Sequence, residues 1–259
     1  YRLIEGKTAN QTVSPLSLVT DSAVPKAHES WDSQPDISIF YDRTDEITLL
    51  KQWVLTDRCR SITLYGLGGI GKTALATKLT NEVKDEFKCL IWRSFRNQPP
   101  IQSFLMGILS FLNCLPPDQC PQNTSDQISQ LINYLHQHRC LLVLDDVQSI
   151  LSSGNLSGQY QTGFESYGEL IRRIEEENHQ SCVILTSWEK LQETSRISNS
   201  KMPVRSYRVQ GLGEAAKSIL AKAQLLDAER WDELITAYRG NPLALRIMST
   251  AIQDLFDGS

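Results

Sequence analysis

The 259-residue chain is first bounded by what it does not contain. It has no run of about 18 apolar residues, so no membrane-spanning helix is expected. It has six cysteines, at positions 59, 89, 114, 120, 140 and 182, and no two of them form a CxxC pair. The four histidines, His28, His136, His138 and His179, do not supply the closely spaced ligand pairs that a zinc site needs. Cys59, Cys89, Cys140 and Cys182 lie in or beside apolar runs and read as small buried hydrophobes of a reducing cytosol. His136 and His138, two apart at the end of a helical stretch, point to different faces and read as solvated or capping residues. There is no surplus of positive charge either. Lys plus Arg is 26 and Asp plus Glu is 30, a net charge of −4, which argues against a dedicated nucleic-acid binder living on phosphate neutralisation. The first residue is Tyr1 and no signal-peptide pattern follows it, so the sequence reads as the middle of a longer cytoplasmic chain.

What is present is an alternating pattern. Residues 1–36 carry Pro15, Pro25 and Pro35 with scattered serines and read as a mostly irregular linker. From Ile37 onward, helical stripes alternate with short apolar runs. Helices are expected over Thr44 to Thr56, Lys72 to Phe87, Ile101 to Leu112, a stretch capped by Ser125, and Tyr167 to Glu177. Strands are expected over Ser61 to Tyr65, Cys89 to Trp92, Cys140 to Leu144, Cys182 to Leu185 and Tyr207 to Val209. The run CLLVL at 140–144 is apolar throughout, as strands covered on both faces of a parallel sheet are. This alternation predicts an α/β fold, a parallel sheet flanked by helices with right-handed crossovers. After Gln210 only helical stretches follow (Glu214 to Leu225, Glu229 to Arg239, Pro242 to Leu255). The expected division is therefore a linker at 1–36, a sheet domain at 37–211 and a small all-helical domain at 212–259.

Two motifs carry chemistry. Gly66-Leu-Gly-Gly-Ile-Gly-Lys72-Thr73 fits GxxxxGK[ST], and it follows a strand and opens a helix as the motif requires. Its glycines let successive backbone N–H groups turn inward around phosphate oxygens, and the helix N-terminus adds partial positive charge. The candidate phosphate-binding residues are Gly68, Gly69, Ile70, Gly71, Lys72, Thr73 and Ala74. Lys72 reaches the terminal phosphates and the Thr73 hydroxyl ligates Mg²⁺. The second motif, Leu141-Leu-Val-Leu-Asp145-Asp146, delivers two acids at the carboxyl end of a buried strand, where open α/β sheets bind ligands. Asp145 is the candidate magnesium partner. Asp146 is the candidate residue to orient or deprotonate an attacking water. No Asn-Lys-x-Asp element for guanine occurs, so ATP or ADP is the expected nucleotide. Arg93 and Arg96, after the second strand, are open to phosphate contact, a neighbouring subunit or surface ion pairs. The Gly/Ser/Tyr-rich stretch from Leu151 to Gly168 is open to a covering or docking loop or a solvated insertion.

Four segments in order, Ile39-Phe-Tyr-Asp-Arg43-Thr-Asp-Glu46, GLGGIGKT, LLVLDDV and Gly240-Asn-Pro242-Leu243-Ala-Leu245, give the chain a resemblance to the NB-ARC class of STAND NTPases. These are P-loop nucleotide switches of apoptosome, plant and bacterial defence proteins. The resemblance implies that Phe40, Tyr41 and Arg43 lie against adenine and that Pro242, with Leu243 beside it, packs on the base from the helical domain. From the residues alone, Pro242 is equally an ordinary helix start and Arg43 a surface residue before a helix. The resemblance also implies slow Mg-dependent ATP hydrolysis, an ADP-bound resting state, ATP-driven opening and self-association, with flanking effector and sensor domains.

The chain departs from the class at two points. The class has Thr-Thr-Arg or Thr-Ser-Arg after its fourth strand, whose arginine senses the γ-phosphate; here the triplet is Thr186-Ser187-Trp188. An indole cannot give a phosphate a charge-assisted hydrogen bond. ADP binding is expected to survive and hydrolysis or switching to be impaired, with Lys190 or Arg196 as possible substitutes. The class also carries a winged-helix domain with a Met-His-Asp type motif, which is not among these residues. Two other readings stay open: an ATPase acting on nucleic acid, and a catalytically weak nucleotide-binding scaffold.

Overall fold

The computed structural model describes residues 28–33, 35–112, 121–152, 158–192 and 203–258. The apolar runs form one sheet of six strands: β1 (His28–Trp31), β2 (Ser61–Tyr65), β3 (Cys89–Ser94), β4 (Cys140–Asp145), β5 (Cys182–Ser187) and β6 (Val204–Arg208). Their order is β1-β3-β4-β5-β2-β6, and every neighbouring pair is parallel. Five helices accompany them: α1 (Thr44–Lys51), α2 (Lys72–Val83), α3 (Ile101–Phe111), α4 (Thr124–Gln137) and α5 (Glu165–Glu176). A five-residue π-helical turn, Gln52–Thr56, extends α1.

The sheet is covered on both sides, and the pleat sorts its residues. Leu142 and Leu144 of β4 join Ile91, Val183 and Leu185 in a core with α3, α4 and α5. Leu141 and Val143, one residue out of phase, join Ile62, Leu64, Trp92 and Ile184 in a second core with α1 and α2. Alternate side chains pointing to opposite faces is why these strands are apolar throughout rather than at every second position. A third cluster (Leu212, Ala216, Ile219, Leu220, Leu225, Leu245) lies among α6 (Lys217–Lys222), α7 (Trp231–Ala237) and α8 (Pro242–Phe256). Tyr41, from the segment before α1, packs against that third cluster.

Two expectations need correction, and one open reading narrows. The described part of the segment before residue 37 is not irregular throughout, although residues 32, 33, 35 and 36 belong to no strand or helix. His28–Trp31 adds a strand to the edge of the sheet, held by Trp31 stacked on Trp92 at 5.0 Å, His28 stacked on Phe111 at 4.4 Å and a Lys84–Glu29 ion pair at 2.7 Å. Its period is too short to register as a pattern. Helix α4 is capped by Asn123, whose side chain accepts from the Asp126 N–H at 2.8 Å, and not by Ser125. The stretch after β4, open between two readings above, is held to the body of the protein in its described residues. Leu151 and Tyr160 form an antiparallel bridge, and Tyr160 and Phe164 pack on the core. Cys114, Cys120 and Arg196 lie outside the described residues. The buried cysteines 59, 89, 140 and 182 are free thiols, and His138 caps the end of α4.

Candidate functional site

The carboxyl ends of β2, β4 and β5 converge on one rim of the sheet. Strand β2 ends at Tyr65, and the chain turns through 66–71 before α2 starts at Lys72. Gly69 and Gly71 take φ of +73° and +103°, a region that side chains with a Cβ disfavour. These turns let the loop fold back onto the helix axis. The Lys72 ammonium is buried and donates to the Gly66 and Leu67 carbonyls at 2.9 and 3.0 Å. Burial lowers its pKa, against the opposing pull of Asp146 and Asp145. An ammonium has three donors, so one remains for a ligand.

Asp145, at the end of β4, is buried and faces two hydroxyls. Its Oδ1 accepts from Thr73 at 2.9 Å and from Thr186 at 2.6 Å. Burial raises its pKa, partly offset by these hydrogen bonds. Thr73 and Asp145 thus stand side by side, a hydroxyl and a carboxylate of the kind that hold a hard cation. Asp146 follows with φ of +61°, and its N–H donates to the Thr186 hydroxyl at 2.9 Å. Its carboxylate is engaged on both oxygens: Oδ1 accepts from Gln148 at 2.8 Å, and Oδ2 accepts from the Arg96 guanidinium.

The other wall comes from the segment before α1 and from α8. Asn241 is the N-cap of α8, its carbonyl oxygen accepting from the Leu243 and Ala244 N–H groups at 3.1 and 3.2 Å. Its amide nitrogen meanwhile donates to the Gly68 carbonyl at 2.9 Å. Asp or Ser would cap as well, but only Asn has a carbonyl for the helix and an N–H for the loop. Leu243 packs directly on Gly69: a Cβ added there would meet Leu243 Cβ at 2.6 Å. A cavity of about 200 Å³ opens between these parts, lined by Phe40, Tyr41, Arg43, Gly71, Ala74 and Pro242, among others. Arg43 lines it but is buried, and its guanidinium is committed to the Ile70 carbonyl at 2.8 Å, the Gln210 carbonyl at 3.0 Å and Glu46 at 2.9 Å. It ties the segment before α1 to the loop and to the linker after β6, a role its position before a helix does not reveal. Trp188 is 60% exposed and lies against the loop, 3.8 Å from a Cβ added at Gly68.

The fold therefore brings Lys72, Thr73, Asp145 and Asp146 to one rim, and Phe40, Tyr41, Arg43, Pro242 and Leu243 to the adjoining cavity. Arg96 meets Asp146. Arg93 instead turns to β1, bonding the Ser30 carbonyl and hydroxyl at 3.3 and 3.0 Å. Sequence reading missed Thr186 as a partner of Asp145 and Asn241 as a link to the loop. Helix-cap preference at Asn241 marks the first of its two bonds and gives no sign of the second.

Residues 43–156 match the model of the NB-ARC domain. That segment is an NB-ARC domain. Over 242 residues, 89% of its length, the chain is 40% identical to an uncharacterized WD repeat-containing protein of Nostoc sp., of which it spans 19%. It is 28% identical over 107 residues (39% of its length) to the disease resistance protein RPS5 of Arabidopsis thaliana, spanning 12% of that protein. The chain thus spans a fifth or less of these curated relatives. Among solved structures it resembles a Signal Transduction ATPase with Numerous Domains (STAND) protein with a tetratricopeptide repeat sensor from Pyrococcus horikoshii, with a TM-score of 0.58 at 20% identity. That match covers 83% of this chain and 30% of that one. CDC6P from Pyrobaculum aerophilum gives 0.54 at 16% identity, covering 87% of this chain and 65% of that one. These likenesses fix the fold as a P-loop NTPase sheet flanked by helices, with helices at the C-terminal end. The NB-ARC match makes residues 43–156 part of a P-loop nucleotide-binding domain. Among the described residues no helix is long and apolar enough to cross a membrane, and no cluster of three or more His, Cys, Asp or Glu could hold a metal ion.

Proposed function

We propose that the chain is the nucleotide switch of a signalling ATPase. It holds ADP in the resting state, opens on exchange for ATP, and hydrolyses ATP slowly. Residues 37–211 serve as the nucleotide domain and 212–259 as its lid. The observation that carries this reading is the Asn241 bridge: the first turn of α8 is bonded to the loop that cradles phosphates, so a ligand in that loop must act on the lid. A nucleotide matters here only through its differing contacts with the closed and open lid.

The residues present fit an adenine nucleotide with Mg²⁺. The Lys72 ammonium rests on loop carbonyls with a donor to spare, and Thr73 and Asp145 pair a hydroxyl with a carboxylate. Thr73 and Asp145 would hold the ion, which would neutralise charge on the phosphates. Loop N–H groups from Gly68 to Ala74 would bind the phosphates. Phe40, Tyr41, Pro242 and Leu243 would enclose the base, with Arg43 bracing that wall. Asp146 would orient the attacking water. Opening would expose the nucleotide domain for self-association in the cytoplasm, with flanking effector and sensor domains as partners.

A weakly catalytic scaffold is the second reading, favoured by the indole of Trp188 where the class has arginine. The nucleotide content of the purified protein tests the first. Close to one equivalent of ADP is expected after denaturation and chromatography. A protein that is empty and ignores added MgADP in calorimetry refutes both readings. ADP binding with no measurable turnover leaves the scaffold.

A further inference from the structure

Both oxygens of the Asp146 carboxylate are spoken for by groups that lie away from the phosphate loop. Arg96, just past the end of β3, donates to Oδ2, and Gln148, in the turn after β4, donates to Oδ1 at 2.8 Å. The site is locked from below as well. The Phe95 N–H donates to the Asp145 carbonyl at 2.9 Å, which anchors the β3 loop to the acid strand and delivers Arg96 to Asp146. The two partners differ in access. The Arg96 side chain is 70% exposed, whereas that of Asp146 is 15% exposed. The guanidinium is therefore the outer member of the pair and the one that can be withdrawn without disturbing the sheet.

We propose that Arg96 is a positioning residue that holds Asp146 in a resting orientation, so that hydrolysis is suppressed until the pair opens. This rests on the reading of the chain as a nucleotide switch and names a regulation of that same site. A water-orienting carboxylate must offer a lone pair toward the water it serves. In the closed pair each oxygen accepts one hydrogen bond, from the β3 loop or from the turn after β4, and these two single bonds fix the plane of the carboxylate and the direction of its remaining lone pairs. Arg96 adds nothing to the phosphate cradle, whose contacts come from the loop at 66–73 and from Asn241. Its loss should act on turnover and leave binding alone. The geometry gives a slow ATPase a local cause that is separate from Trp188: the acid is present but turned to another partner.

The test is steady-state ATPase kinetics on the full chain with Arg96→Ala and Arg96→Lys, alongside MgADP affinity by calorimetry. A partly exposed ion pair supports a rise in kcat of about two- to fivefold for Arg96→Ala. KM and ADP affinity should stay at wild-type values. Arg96→Lys, which keeps a donor and the charge, should return kcat toward the wild-type value. Because Arg96 is exposed, loss of folding is not the expected outcome, and a gain in kcat is not what mere disruption produces. An Arg96→Ala kcat equal to or below wild type, with ADP affinity intact, overturns the proposal. So does a rise that Arg96→Lys shows equally. If wild-type protein binds no ADP, the nucleotide-switch reading fails first and this one falls with it.

Discussion

Gly69→Ala should act as a wedge between the phosphate loop and the helical lid. The new Cβ would sit 2.6 Å from Leu243 Cβ and 2.7 Å from Leu243 Cδ2, where carbon atoms at rest stand about 3.5–4.0 Å apart. Relief requires α8 to back away by about 1 Å. That breaks the Asn241–Gly68 hydrogen bond at 2.9 Å and the long Leu243–Gly69 contact at 3.4 Å, each worth about 0.5–1.5 kcal/mol. Alanine at φ of +73° costs about a further 1–2 kcal/mol. The two lost contacts should cost the closed state about 1–3 kcal/mol, roughly 5- to 150-fold in its population relative to an open lid, while the backbone strain weighs on both states. Small-angle scattering of the nucleotide-free protein should show a larger radius of gyration, and calorimetry a correspondingly weaker MgADP affinity. Because Gly69 also belongs to the phosphate cradle, the decisive control lies on the other side of the contact. Leu243→Gly removes the Cβ and should restore closure to Gly69→Ala. Leu243→Ala removes only the outer carbons, leaves the 2.6 Å clash, and should not. An unchanged radius in Gly69→Ala, or equal rescue by both changes at Leu243, refutes the wedge.

Three further outcomes follow from the site. Asp145→Asn keeps an oxygen for the Thr73 and Thr186 hydroxyls and removes a buried charge. Burial raises the Asp145 pKa, so the ionised carboxylate opposes folding above that pKa, and the penalty is relieved as pH falls through it toward the ordinary carboxylate range. The variant should melt higher than wild type at pH 7 without nucleotide, by about 2–4 °C for each kcal/mol relieved, and the gap should close on acidification. It should also lose stabilisation by MgADP, and a lower melting point than wild type at pH 7 would contradict the argument. Trp188→Arg offers the loop a charge-assisted donor and should raise ATP turnover by roughly ten- to a hundredfold; unchanged turnover would separate Trp188 from slow hydrolysis. Trp31→Ala removes the indole stacked on Trp92 and should cost about 1–3 kcal/mol in denaturant unfolding, with amide exchange rising first in β1 and at the β3 edge. Uniform exchange across the sheet would show that β1 is not a separable strap.

How much of this was legible follows from what a local pattern can encode. Buried parallel strands announce themselves because both of their faces are apolar, and β2, β3, β4 and β5 were read to within two residues of their observed ends. The phosphate loop was equally plain, since its glycines answer to backbone geometry within eight residues. Strand β1 failed the same test: four residues, HESW, carry no period, and its stability comes from Trp92, Phe111, Lys84 and Arg93, all distant in sequence. The same limit applies inside the site. The resemblance implies Arg43 for a nucleotide site and the acid strand offers Asp146, and in the structure their charges are turned to other partners: Arg43 to two backbone carbonyls and Glu46, Asp146 to Arg96 and Gln148. A motif records that a charged side chain sits at a position. Which partner neutralises it depends on contacts between segments brought together only by the sheet order, such as the end of β3 lying beside the end of β4. That distinction decides chemistry, because an acid held in one orientation by neighbouring donors and an acid that is free to turn have the same sequence signature. The four motifs therefore specify which residues share one rim of the sheet, whereas the pairing across β3, β4 and the start of α8 specifies which of their polar atoms are engaged.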